Sequence, residues 1–120
     1  MKVREREWRV QNGLWETGGA ELGELVQRLY EHTGWSRNTV LTYLTRMEAK
    51  GLVRIDKGAS PHVYFATLAR EDCQERERQS FLRRVYSGKT GDLIAAFLKE
   101  ESISQEERER LRKLLDDMEV

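Results

Sequence analysis

The stretch Trp35-Ser36-Arg37-Asn38-Thr39-Val40-Leu41-Thr42-Tyr43-Leu44-Thr45-Arg46-Met47-Glu48-Ala49-Lys50-Gly51 constrains the fold more than any other part of the chain. Placed at about 100° per residue, Val40, Leu41, Leu44 and Met47 form one apolar stripe of a helix. Asn38, Thr39, Thr42, Thr45, Arg46 and Lys50 fall on or near the opposite side. Ser36 is suited to accept from the orphan N–H groups of the first turn, and Gly51 to take the conformation that stops the last. Both ends are therefore specified. The exposed face is neither the Glu/Lys mixture of a plain solvated helix nor a second apolar surface. It combines short hydrogen-bonding side chains with cations, which suits base edges flanked by phosphates. A merely solvated polar face is the competing reading.

The flanking segments turn this helix into a motif. Ala20 to His32 reads as a helix with Leu22, Leu25, Val26 and Leu29 spaced i, i+3, i+4, i+7, ended by Thr33-Gly34. Two helices joined by so short a turn make a helix-turn-helix. Upstream, Val3 to Trp15 reads as a helix with Trp8, Val10, Leu14 and Trp15 at its apolar positions, broken by Gly18-Gly19. Gly13 weakens its last turn, since a mid-helix glycine costs about 1 kcal/mol relative to alanine. After Gly51 the period changes. Leu52 to Lys57 and His62 to Ala66 are β-prone and flank the turn chemistry of Gly58-Ala59-Ser60-Pro61. A hairpin directly after such a helix is the wing of a winged helix, and its tip offers Lys57 and His62 to a DNA backbone. The expected fold is mostly α with a small β-hairpin: a winged helix-turn-helix over residues 1–69 and a helical region over 70–120.

From Arg70 onward the pattern is helical. Glu71 to Tyr86 is charged at its start and apolar at its end, with Phe81, Leu82, Val85 and Tyr86; Ser87-Gly88 interrupts it. A short apolar helix follows, Leu93-Ile94-Ala95-Ala96-Phe97-Leu98. Ser104-Gln105-Glu106-Glu107 is a capping box that opens a final helix with Leu111, Leu114, Leu115 and Met118. These helices are too charged to close a core alone. Phe81, Leu93, Ile94, Phe97, Leu98, Leu111, Leu114 and Leu115 are accordingly expected to form a dimer interface; packing back onto the winged helix is the alternative.

Charge supports the division. Charged residues make up 35% of the chain and the net charge is zero, yet residues 1–70 hold 11 Lys/Arg against 8 Asp/Glu, while residues 71–120 hold 10 against 13. The mildly basic part is the one expected to meet DNA. The single cysteine, Cys73, excludes an intrachain disulfide and a cysteine-rich zinc site. No signal-peptide pattern opens the sequence and no apolar run approaches membrane-spanning length, so the expected location is the cytoplasm, without membrane insertion. His32 and His62 lie far apart in sequence, no His/Asp/Glu cluster has metal spacing, and no Gly-rich loop leads into a phosphate-binding helix. Neither an enzyme, a cofactor nor a metal is expected.

The run Trp35-Ser36-x-x-Thr39-Val40-x-Thr42-x-Leu44-x-Arg46-Met47-x-x-Lys50-Gly51 resembles the recognition helix of the penicillinase and methicillin-resistance repressors (BlaI/MecI). Glu7-Trp8-x-Val10 with Leu14-Trp15, the pair Val63-Tyr64, and Ser80-Phe81-Leu82 with Tyr86 and Gly88 extend the resemblance. So do Phe97-Leu98 and the segment from Ser104 to Leu115. The resemblance implies a homodimeric repressor that sets N-terminal winged helices on the half-sites of a palindromic double-stranded operator and dimerises through its C-terminal helices. In the best-known branch of that family a membrane sensor of β-lactams triggers proteolysis of the repressor before the Phe of an Asn-Phe pair; this chain carries Ala96-Phe97 there. Copper-responsive relatives carry a C-terminal cysteine cluster, which this chain lacks. Family members commonly have Pro and Lys where this chain has Arg37 and Asn38.

Within the helix, Asn38, Thr39 and Thr42 are the candidates for base contact, since Asn pairs bidentately with adenine and Thr either hydrogen-bonds a base edge or touches a thymine methyl. Ser36 and Arg37 stand at its start. Arg46 and Lys50, one turn apart, suit phosphates. Tyr43, at the side, either meets a phosphate or packs against the wing. Trp8 and Trp15 are expected in the core, and Trp35 is expected to set the angle at which the helix begins. The rival function is a winged-helix adaptor that binds protein and not DNA.

Overall fold

The computed structural model describes residues 2–100 and 102–118. Its elements run α1 (Glu5–Thr17), β1 (Ala20–Glu21), α2 (Leu22–Thr33), α3 (Arg37–Ala49), β2 (Val53–Asp56), β3 (Val63–Ala66), α4 (Arg70–Tyr86), α5 (Thr90–Glu100) and α6 (Gln105–Asp117). Local chemistry sets most of these limits. The Gly18 and Gly34 N–H groups close α1 and α2 by donating to Leu14 O at 3.0 Å and Tyr30 O at 2.8 Å. Ser36 caps α3, its hydroxyl accepting from Thr39 N at 3.2 Å. Ser104 does the same for α6, from Glu107 N at 3.1 Å.

The chain divides into two compact units between Glu75 and Arg76, inside α4. The first is a winged helix. Its core takes Val10 and Leu14 from α1, Leu25 and Leu29 from α2, Val40, Leu44 and Met47 from α3, and Ala20, Leu52, Val53 and Tyr64 from the sheet and its approach. Each fully buried leucine or valine here stabilises the fold by about 1.5–3 kcal/mol relative to an exposed position. The strands form one antiparallel sheet in the order β1-β3-β2. Ile55 pairs with Tyr64 and Asp56 with Val63 across the wing, while Ala20 pairs with Tyr64 on the other edge of β3.

Three sequence expectations are corrected. The second helix begins at Leu22 and not at Ala20, because extended pairing with β3 supplies Ala20 and Glu21 with backbone partners. On α1 the buried face is Glu7, Val10, Gln11, Gly13 and Leu14, whereas Trp8 and Trp15 are half-buried at its margin, ring centroids 6.0 Å apart. There the Trp15 indole N–H reaches Leu68 O at 2.9 Å, a partner that a purely apolar position would deny it. Leu41, assigned to the buried stripe of α3, is 38% exposed, since Val40, Leu44 and Met47 suffice to fill the contact and Leu41 lies about 100° away from Val40.

Gly13 has a packing role in place of a mere propensity cost. A β-carbon built there would lie 2.8 Å from Leu25 Cδ1 and 3.5 Å from Leu29 Cδ2, so its absence lets α1 and α2 approach closely.

The second unit comprises the rest of α4 with α5 and α6. None of its described residues is buried. Phe81 and Tyr86 rest against each other, ring centroids 5.9 Å apart. Leu93 and Leu111 are half-buried, while Ile94, Phe97, Leu98, Leu114 and Leu115 are 45–57% exposed. Leu98, Ile103, Leu111 and Leu115 line an open groove whose rim is Arg108, Arg112 and Asp116. No described helix is long and apolar enough to cross a membrane.

Candidate nucleic-acid interface

The side chains of α3 sort themselves by the geometry of its anchor. With Val40, Leu44 and Met47 fully buried, Asn38, Leu41, Thr42, Thr45 and Arg46 are left exposed on the far face. The hydroxyls on this face are already engaged. Thr42 Oγ1 donates to Asn38 O at 2.8 Å and Thr45 Oγ1 to Leu41 O at 2.9 Å. Each threonine therefore presents a methyl group and an accepting lone pair outward, its donor being used within the helix. Thr39 is half-buried, with its hydroxyl 3.1 Å from that of Ser36, so both serve the helix start. Arg37 is exposed beside them.

Two expected contact residues stand apart from this face. Lys50 Nζ donates to Glu7 Oε1 at 2.7 Å, and the same oxygen accepts from Arg4 N at 2.8 Å. Lys50 thus fastens the end of α3 to the start of α1 instead of extending freely toward solvent. Glu7 is almost fully buried and the Lys50 side chain is 30% exposed. Glu7→Ala is expected to cost about 1–3 kcal/mol in urea unfolding, less than a wholly buried pair because water still screens the ammonium. An unchanged midpoint would remove the pair from the account of how α3 is held.

Tyr43 is the second. It packs on Trp35, ring centroids 5.0 Å apart, and not on the wing, and its hydroxyl accepts from Arg6 Nη1 at 3.3 Å. The Tyr43 hydroxyl, through that hydrogen bond, raises the Arg6 guanidinium above its ordinary range. Trp35 packs against the core just ahead of α3.

Arg6 is a residue that sequence reasoning missed. In Arg4-Glu5-Arg6-Glu7 it looks like one charge of a solvated alternation. The fold instead sets Arg4, Arg6, Tyr43, Arg46 and Lys50 around one cleft, together with Glu5 and Glu7. Only the Arg6–Tyr43 contact, across 37 positions of sequence, reveals it. On the wing, Lys57 and His62 are exposed as expected, and Asp56 Oδ1 shapes the turn by accepting from Gly58 N at 3.0 Å. Arg54 is a further exposed wing cation, its guanidinium 4.4 Å from the centre of the Phe65 ring. Among the described residues, no group of three or more His, Cys, Asp or Glu is placed to hold a metal ion.

The arrangement is an exposed helix face with one amide, two threonines and a leucine, with cations of α1 and α3 around one cleft and further cations exposed on the wing. Its chemistry is that of groove recognition and not of bond breaking. Comparison with known proteins agrees. The chain is 27% identical to the methicillin resistance regulatory protein MecI of Staphylococcus aureus (strain N315) over 115 residues, covering 96% of this chain and 94% of that protein. It is 25% identical over 118 residues to the penicillinase repressor of Staphylococcus aureus, covering 98% and 94% of the two chains. With the penicillinase repressor of Bacillus licheniformis it shares 27% over 116 residues, covering 97% and 91%. The profile described as "Penicillinase repressor" matches residues 3–117, nearly the whole length, and the chain belongs to the penicillinase repressor family.

Proposed function

We propose that this protein is a homodimeric transcriptional repressor that binds palindromic double-stranded DNA through α3 and the wing. The observation that carries the reading is the exposed face of α3, where Asn38, Thr42 and Arg46 project from a helix whose other side is locked into the core. Family membership supplies the regulatory role, since the relatives are named as repressors and as a resistance regulator. Residues 1–69 bind DNA, and 70–120 pair the two copies through the apolar faces of α5 and α6. Asn38 and Thr42 meet bases; Arg37, Arg46, Lys57 and His62 meet phosphates, joined by Arg6 beside Tyr43.

Titration onto the DNA upstream of its own gene at several salt concentrations tests this. Binding is expected to weaken steeply with salt, the log–log slope being about 0.9 for each phosphate neutralised. Arg46→Ala and Arg6→Ala should each weaken binding equally on specific and random DNA and flatten the slope by roughly one phosphate. Thr42→Ala should instead cost about 1–3 kcal/mol at one base position. Salt-insensitive binding, or none on any DNA, would favour the protein-adaptor reading.

Release by a membrane sensor-protease acting indirectly is the mode that the family resemblance suggests. Ala96 and Phe97 lie inside α5, Phe97 57% exposed and Ala96 half-buried. Because a protease binds its substrate extended, cutting between them requires that turn of α5 to unwind first.

A further inference from the structure

We infer that Leu41 reads a thymine methyl group in the major groove, a specificity contact that rests on the DNA-binding reading above. Asn38, Leu41, Thr42 and Thr45 stand at i, i+3, i+4 and i+7, so they form one continuous stripe on the exposed side of α3. A single exposed leucine is ordinary on a protein surface. Here the leucine stands at one margin of the face proposed to meet bases, 38% exposed although it lies next to the fully buried Val40 and Leu44 around the helix.

Its neighbours make that part of the face apolar. The Thr45 hydroxyl is turned back onto Leu41 O, and the Thr42 hydroxyl onto Asn38 O. With its hydroxyl so engaged, Thr45 stands one turn from Leu41 on the same stripe, Thr42 one turn from Asn38, and the amide of Asn38 is at the end of the stripe. Among the four base edges of the major groove only thymine presents a methyl group, while adenine presents the acceptor and donor that an amide pairs bidentately. Cytosine and guanine offer polar groups that a leucine leaves unpaired, so they are disfavoured under Leu41. The stripe therefore selects an A·T or T·A pair: its thymine methyl lies against Leu41 and Thr45, with adenine of the same or the next pair against Asn38.

Replacing each thymine of the bound site singly by uracil removes one methyl group and nothing else. With the full chain and the DNA upstream of its own gene, one thymine position in each half-site is expected to show a loss of about four-fold, the worth of one buried methyl group. Leu41→Ala should weaken binding to the unmodified site and lose sensitivity to uracil at that position alone. Leu41→Met, which keeps an apolar side chain, should retain it. The comparison between variants cancels any effect of uracil on the DNA itself, and circular dichroism identifies a variant that has lost its fold. If wild type and Leu41→Ala respond identically to uracil at every position, the inference is overturned while DNA binding stands. If the wild-type chain binds none of these duplexes, the DNA-binding reading falls and takes this inference with it.

Discussion

Leu114→Asp is expected to turn the protein into a monomer in analytical sedimentation and to weaken its occupancy of a two-half-site operator roughly 10²–10⁴-fold. Leu114 lies on α6, 55% exposed, beside Leu115 at 57%. Ile94, Phe97 and Leu98 on α5 are likewise 45–57% exposed, so the described residues of this unit leave several large apolar side chains in water. Surfaces of this kind mark interfaces, and association is the arrangement that removes these side chains from water. A carboxylate in that contact would have to be desolvated without a partner, which is far costlier than burying a leucine. Within one protomer the substitution is mild, because the side chain already faces solvent, so helix content should be preserved. The DNA effect follows from geometry: a dimer binds its second half-site intramolecularly, whereas a monomer must bind each half-site independently. A dimer that persists in Leu114→Asp would refute the assignment of α6 to the interface. A monomer that still binds the full site as tightly would refute the two-half-site mode.

The second large effect is one of stability. Gly19→Ala is expected to destabilise the winged helix by about 2–5 kcal/mol in urea unfolding, through backbone strain and overpacking together. Gly19 has φ 123°, outside the range that residues with a β-carbon adopt readily. A β-carbon there would also lie 2.3 Å from Phe65 Cε1 and 2.5 Å from Cδ1. The aromatic ring cannot yield easily, because Phe65 belongs to β3, the central strand, and carries the Arg54 guanidinium 4.4 Å from its ring centre. The turn between α1 and β1 and the wing are thus held against each other by a contact only glycine permits. Gly18→Ala serves as a control: its φ is also positive, at 70°, but a β-carbon meets nothing within 4 Å, so its cost should be confined to the backbone term, about 1–3 kcal/mol. Equal losses for the two variants would show that the Phe65 contact contributes nothing.

Much of this architecture is legible in the sequence, and for local reasons. Ser36 and Gly51 bracket α3 because capping depends on a side chain and backbone atoms within one turn. The wing is marked by the switch from a helical to a two-residue period around Gly58 to Pro61. The exposure of Asn38, Thr42 and Arg46 follows from the position of Val40, Leu44 and Met47 on the same helix. Where the reading goes astray, the deciding partner is distant. Ala20 leaves the helix for a strand because Tyr64, 44 positions later, is its backbone neighbour. Leu41 satisfies the apolar period yet remains exposed, since periodicity ranks residues by type and cannot say how wide the contact with other helices is.

The candidate site divides in the same way. The residues proposed to face bases sit on one helix, so their spacing alone brings them together. Arg6 joins them only through Tyr43, and Lys50 leaves them only through Glu7, contacts that span 37 and 43 residues. By itself the sequence determined the helices, the wing and the residues that share the outer face of α3, because caps, turns and periodicity act over a few residues. Tertiary structure alone decided that Arg6 joins the cleft beside Tyr43 and Arg46, and that Lys50 is tied to Glu7 in the scaffold. It likewise decided that Gly13 and Gly19 are packing requirements and not merely breaks, because those outcomes depend on atoms brought close only when distant segments fold together.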